Sequence, residues 1–174
     1  MPEGKARLGI IGVGNLFASD DGVGIRVIRR LQESIADNRV VVVESERGGL
    51  DLLDRLAGLD AALIVDAAQT GMVSVGEVTM FRIRAPFDTG RAHSLHTVDL
   101  PGLLAFGEVT TMELPKEVTV VAVEAKDIET FHDACTPELE GAVPGVVNRV
   151  VSEVRRLLPD VQMVSGRSGP ACVR

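Results

Sequence analysis

Two adjacent carboxylates, Asp20 and Asp21, stand behind a glycine turn in the stretch LGIIGVGNLFASDDGVGI, residues 8–25. A glycine turn after a buried strand commonly lets a pyrophosphate approach a helix N-terminus. Here Asn15, Leu16 and Phe17 replace the third glycine of that fingerprint. Two negative charges at the positive end of a helix would also repel a phosphate, so the pair suits a cation. An ordinary helix N-cap, worth about 1 kcal/mol, accounts for one acid only. Asp20 is expected to cap and Asp21 to project toward a cleft.

A third carboxylate, Asp66, closes the apolar run from Asp60. At the carboxyl edge of a parallel sheet it would lie where open α/β sheets place their ligands. The histidines are His93, His96 and His132, and the cysteines Cys135 and Cys172 have no CxxC spacing. Neither a disulfide framework nor a thiolate zinc site is indicated, so a metal site must use histidine and carboxylates. Asp21, Asp66 and an imidazole from the His93 to His96 loop make an O,O,N donor set with open positions, suited to a divalent ion such as nickel or zinc. No nucleophile is singled out, although His132 stands three residues before Cys135.

The elements that must position these groups follow from hydrophobic pattern. Arg7 to Val13, Arg39 to Val43, Asp60 to Asp66, Glu77 to Ile83 and Glu117 to Glu124 read as strands, the first nearly continuous in apolar residues and so buried on both faces. Helices are expected over Asp21 to Ile35, Leu50 to Ala57 with Leu50, Leu53 and Ala57 on one face, Val98 to Phe106, and Pro137 to Leu158. Thr136 before Pro137 is a helix start signal, and Pro144-Gly145 is expected to kink or interrupt the last helix. The link from Asp66 to Glu77 is too short for a crossover helix, so the fourth strand should run antiparallel to its neighbour. The expected fold is a three-layer α/β/α sandwich around a mixed, mostly parallel five-stranded sheet, in a single domain over 1–174 with a mobile tail at 159–174.

GVGNLFASDDGVG resembles the N-terminal motif of the hydrogenase maturation endopeptidases, which trim the C-terminus of nickel-iron hydrogenase large subunits. Val123-Glu124 followed by Thr136-Pro137 is similar to a later signature of that family, and the order of elements agrees from Leu8 to about Leu158. Matched residue by residue, the resemblance implies that Asp21, Asp66 and His96, the last within Ser94-Leu95-His96, bind the metal; His93 has no counterpart. It further implies an endopeptidase that removes the C-terminal extension of a large-subunit precursor after nickel insertion, once per molecule. The metal would be the substrate's own nickel, or another divalent ion such as zinc. The alternative is a non-enzymatic module, such as a nickel-dependent assembly chaperone or a degenerate nucleotide-binding domain.

Composition bounds the partners. A formal net charge of −7 over 174 residues disfavours nucleic acid and anionic membranes. Apolar runs such as Ala61 to Val65 are too short to span a bilayer and no signal-peptide pattern begins the chain, so the cytoplasm is the expected location.

Overall fold

The computed structural model describes residues 7–46, 49–86 and 100–164. Five strands, β1 (Leu8–Val13), β2 (Val40–Ser45), β3 (Ala61–Ala68), β4 (Val78–Arg84) and β5 (Glu117–Glu124), form one sheet in the order β2-β1-β3-β5-β4. All neighbours are parallel except β4, which pairs antiparallel with β5, Val78 opposite Val123 and Arg84 opposite Glu117.

Alternate residues of the central strands feed two cores. Leu8, Ile10, Leu63, Val65, Val121 and Val123 point to one face, and Ile11, Val13, Ala62, Ile64, Val118 and Val120 to the other. Helices α1 (Val23–Gln32) and α4 (Pro137–Leu157) cover the first face with Val27, Ile28, Leu31, Val143, Val146 and Val150. Helices α2 (Leu50–Leu56) and α3 (Leu100–Val109) cover the second with Leu52, Leu53, Leu56 and Leu104. The expected three-layer α/β sandwich with a mixed sheet is the observed architecture. The period-2 alternation buried on both sides is what a helix-covered parallel sheet demands.

Several local expectations are corrected. Asp21 lies in a 3-10 turn, Ser19–Gly22, and the α-helix starts only at Val23. Leu50 is 64% exposed: it opens α2 at roughly 110° around the helix from the middle of the buried arc of Leu52, Leu53 and Leu56. Strand β3 does not end on Asp66; it continues to Ala68 along β5, with Ala68 opposite Glu124. Pro144 does not interrupt α4. It and Glu140, whose carbonyl loses its donor, are both exposed, so water can replace the missing bond. Beyond Pro159, Val164 N–H donates to Ser34 O at 2.9 Å and Met163 bridges Ile35, while residues 165–174 lie outside those described.

Candidate functional site

The chain leaves β1 to one side, through α1 into β2, and then crosses to β3 on the other side of β1. The crevice between β1 and β3 is therefore a topological switch point, the place where such sheets hold ligands beyond their strands' carboxyl ends. Asp66 lies there because β1 stops short of it. Gly12 still pairs with Val65, whereas Asp66 has a partner only in β5, Ala122.

Glycines bring Asp21 to the same place. A Cβ on Gly24 would lie 2.2 Å from Val65 O and 2.3 Å from Val13 O, so only a bare backbone lets α1 settle on the ends of β1 and β3. Gly14 has φ +137°, and a Cβ there would stand 1.9 Å from Asp21 O. The Asn15 N–H donates to Asp21 Oδ2 at 2.6 Å, which orients the carboxylate.

Asp21 and Asp66 are close enough to repel. Burial first, and then the Asp21 charge, push the Asp66 carboxyl up to about 6, while the Ala67 N–H, donating to Asp66 Oδ1 at 2.9 Å, opposes the shift. Among the described residues neither carboxylate takes part in an ion pair. Two hard oxygen donors at one sheet edge, unpaired among the described residues, are suited to a divalent ion, so the donor chemistry fits a metal. The third predicted ligand, His96, and its neighbour His93 lie outside the described residues. Among the described residues no group of three or more His, Cys, Asp or Glu is gathered as a metal site.

Asp20 corrects its expected role. Neither the 3-10 turn nor α1 has a side-chain cap bond. Fully buried, Asp20 instead accepts at Oδ2 from Lys126 N–H (2.9 Å), Asp127 N–H (3.1 Å) and the Thr136 hydroxyl (3.0 Å), and at Oδ1 from Thr136 N–H (2.6 Å). It ties the loop after β1 to the loop after β5. Its adjacency to Asp21 in sequence reflects opposite orientation: one carboxylate turns into the protein and the other toward the sheet edge.

Arg26, unmarked by any sequence motif, reinforces that tie by donating to Leu16 O at 3.4 Å and to Asp133 O. Asn15 was also missed as a positioning group; its place six residues before Asp21 was the available signal. Cys135 is buried, its thiol weakly bonded to Ser19 O at 3.9 Å and pushed up to about 11 chiefly by burial. The His132 ring Nδ1 faces the backbone of Ala134 instead. A raised thiol with no paired imidazole is not an activated nucleophile.

Comparisons with known proteins agree with this architecture. The sequence matches the profile of the HycI hydrogenase maturation protease family over residues 25–153, a span that includes Asp66 and His96. It is 27% identical over 154 residues to the hydrogenase 2 maturation protease of Escherichia coli (strain K12), covering 86% of this chain and 91% of that protein. It is 25% identical over 151 residues to the hydrogenase expression/formation protein HupD of Rhodobacter capsulatus, covering 86% and 71%. Among solved structures, the hydrogenase maturating endopeptidase HybD from E. coli superposes with a TM-score of 0.74 at 24% identity, over 91% of this chain and 96% of that one. The [NiFe] hydrogenase maturation protease HybD from Thermococcus kodakarensis gives 0.66 at 23% identity, over 84% and 98%.

Proposed function

The chain belongs to the hydrogenase maturation protease family, and from that premise we propose that it is an endopeptidase removing the C-terminal extension of a nickel-iron hydrogenase large-subunit precursor after nickel insertion. The observation that carries this reading is the convergence of Asp21 and Asp66, two carboxylates without a cation partner among the described residues, at the β1/β3 switch point.

Asp21, Asp66 and, by its place in the sequence, His96 would hold the substrate's nickel or another divalent ion such as zinc. A divalent ion in such a site polarises a carbonyl or activates water. The chain's own contribution is to position: the Asn15 N–H fixes Asp21, β5 fixes Asp66 through backbone pairing, and Asp20 holds the flanking loops together. A set of two carboxylates and one imidazole leaves coordination positions open, so the precursor's own ligands can complete it and nickel loading can license cleavage. The net charge of −7 fits a protein client better than nucleic acid. No helix among the described residues is long and apolar enough to cross a membrane, and a cytoplasmic location is part of the proposal.

The test is mass spectrometry of a precursor large subunit after incubation with the protein. Nickel-loaded precursor should lose its C-terminal extension, and nickel-free precursor should stay uncut even with zinc supplied. Asp21→Asn, Asp66→Asn and His96→Ala should abolish cutting, whereas His93→Ala should retain it. Tight binding without any mass loss would refute the peptidase and favour an assembly chaperone. Cutting of nickel-free precursor by the zinc-loaded protein would show that the three residues carry a catalytic metal of their own.

A further inference from the structure

Aromatic rings are absent from the described core. The sequence has five phenylalanines and neither tryptophan nor tyrosine, and the four described, Phe17, Phe81, Phe106 and Phe131, all lie exposed. Two of them meet. Phe17, after β1, and Phe131, after β5, stack with ring centroids 6.0 Å apart and planes inclined by 11°, yet stay 57% and 85% exposed.

The backbone holds this pair in place. The His132 N–H donates to Phe17 O at 3.0 Å and the Ser19 N–H to His132 O at 2.9 Å, closing a short bridge between the two loops. Asn15 Oδ1 accepts from Phe17 N–H at 3.0 Å while Asn15 N–H donates to Asp21 Oδ2 at 2.6 Å. One residue thus anchors both the ring and the carboxylate. Every connection leaving the carboxyl end of a parallel strand adds to the apolar rim: Leu50 follows β2, and Met72 and Val73 follow β3, all exposed.

We propose that the Phe17–Phe131 pair is a docking platform for a large apolar side chain of the precursor, seating an extended segment of that polypeptide beside Asp21 and Asp66. The proposal rests on the processing function above and names the feature of the substrate that this edge recognises. A second copy of the chain is a poorer occupant. Counted on both copies, the exposed parts of the rings amount to roughly 600 Å², about half of the ~1,200 Å² total buried by the smallest stable protein interfaces. A single preorganised aromatic pair matches one anchoring side chain, and because its backbone is already ordered, little conformational freedom is lost on binding.

The test compares Phe17→Ala, Phe131→Ala, Phe131→Tyr and the control Phe106→Ala for Kd toward nickel-loaded precursor and for kcat and KM of processing. Each ring-pair alanine should raise Kd and KM at least fivefold with kcat within twofold. Phe131→Tyr, which keeps a ring, should weaken binding less than Phe131→Ala, Phe106→Ala should stay within twofold of wild type, and melting temperatures should hold because the rings are exposed. Unchanged Kd and KM in both alanine variants would overturn the proposal, as would equal weakening by Phe106→Ala. Dissociation of a wild-type oligomer by Phe17→Ala, with precursor binding unaffected, would overturn it in favour of self-association. Wild-type protein that binds the precursor without cutting it would sink the processing function alone, and the platform would then stand on the loss of binding in the ring variants. Wild-type protein that does not bind the precursor would overturn the platform itself.

Discussion

Replacing Asp20 by asparagine keeps the side chain's shape, removes its charge and turns one acceptor oxygen into an NH2 donor. The carboxylate takes three donors at Oδ2, from Lys126, Asp127 and the Thr136 hydroxyl, and one at Oδ1, from Thr136 N–H at 2.6 Å. An amide oxygen placed at the Oδ2 position can still accept, more weakly for want of charge, but the amide NH2 then faces the Thr136 N–H, donor against donor. Losing one charge-assisted bond costs about 1.5–3 kcal/mol, and weakening the other three brings the total to roughly 3–5 kcal/mol. That is several times the ~1 kcal/mol of an ordinary helix cap. It is a large part of the ~5–15 kcal/mol by which such domains are stable. With a urea slope of about 2 kcal/mol/M, the unfolding midpoint should fall by about 1.5–2.5 M in equilibrium denaturation followed by circular dichroism at pH 7. Thr136→Val, which removes only the hydroxyl donor to Oδ2, should cost less, and its effect should shrink in the Asp20→Asn background, where the same hydroxyl meets an uncharged amide oxygen. A loss below about 1 kcal/mol for Asp20→Asn would refute the reasoning, returning Asp20 to a cap that water can replace.

Two further outcomes follow from the same edge. The Asp66 carboxyl is pushed up from 3.8 to about 6, so the native state holds its proton more tightly than the unfolded chain does. The resulting penalty is full above about pH 6, fades as the pH falls below it, and is gone below about pH 4. In chelator-treated protein, Asp66→Asn should therefore raise stability at pH 7.5 by about 1–3 kcal/mol, with the two denaturation curves converging toward pH 4. No stabilisation at pH 7.5 would contradict the burial and repulsion described. Gly24→Ala, in an exposed helix a gain of up to about 1 kcal/mol, should here cost about 1–3 kcal/mol, because its Cβ would meet Val65 O and Val13 O at 2.2 and 2.3 Å. A thermal melt showing stabilisation would mean that α1 can lift from the sheet without loss.

Local pattern alone was enough for much of this protein. The unbroken apolar run of β1 and the bounds of β5, Glu117 to Glu124, were legible because strands buried on both faces leave no polar alternation to misread. Thr136-Pro137 marked the start of α4 because proline at the first helical position acts through the backbone of its own segment. The separate destinies of Asp20 and Asp21 were foreseen, yet the partners of Asp20 were not. They stand 106, 107 and 116 residues away, and no short-range preference encodes a bond of that span. The same holds for Leu50, whose apolar side chain stays exposed because it lies beside, not within, the arc of α2 that the sheet covers. It holds too for Phe17 and Phe131, which lie on loops that meet only once β1 and β5 share a sheet. Sequence by itself determined which segments are strands and helices and which acids are unusual, since those depend on neighbours within a few residues. Only the tertiary structure decided that β1 stops short of Asp66 at the switch point, that glycines let α1 descend onto the ends of β1 and β3, and that the Asn15 N–H holds Asp21 there, because these depend on which strands lie side by side.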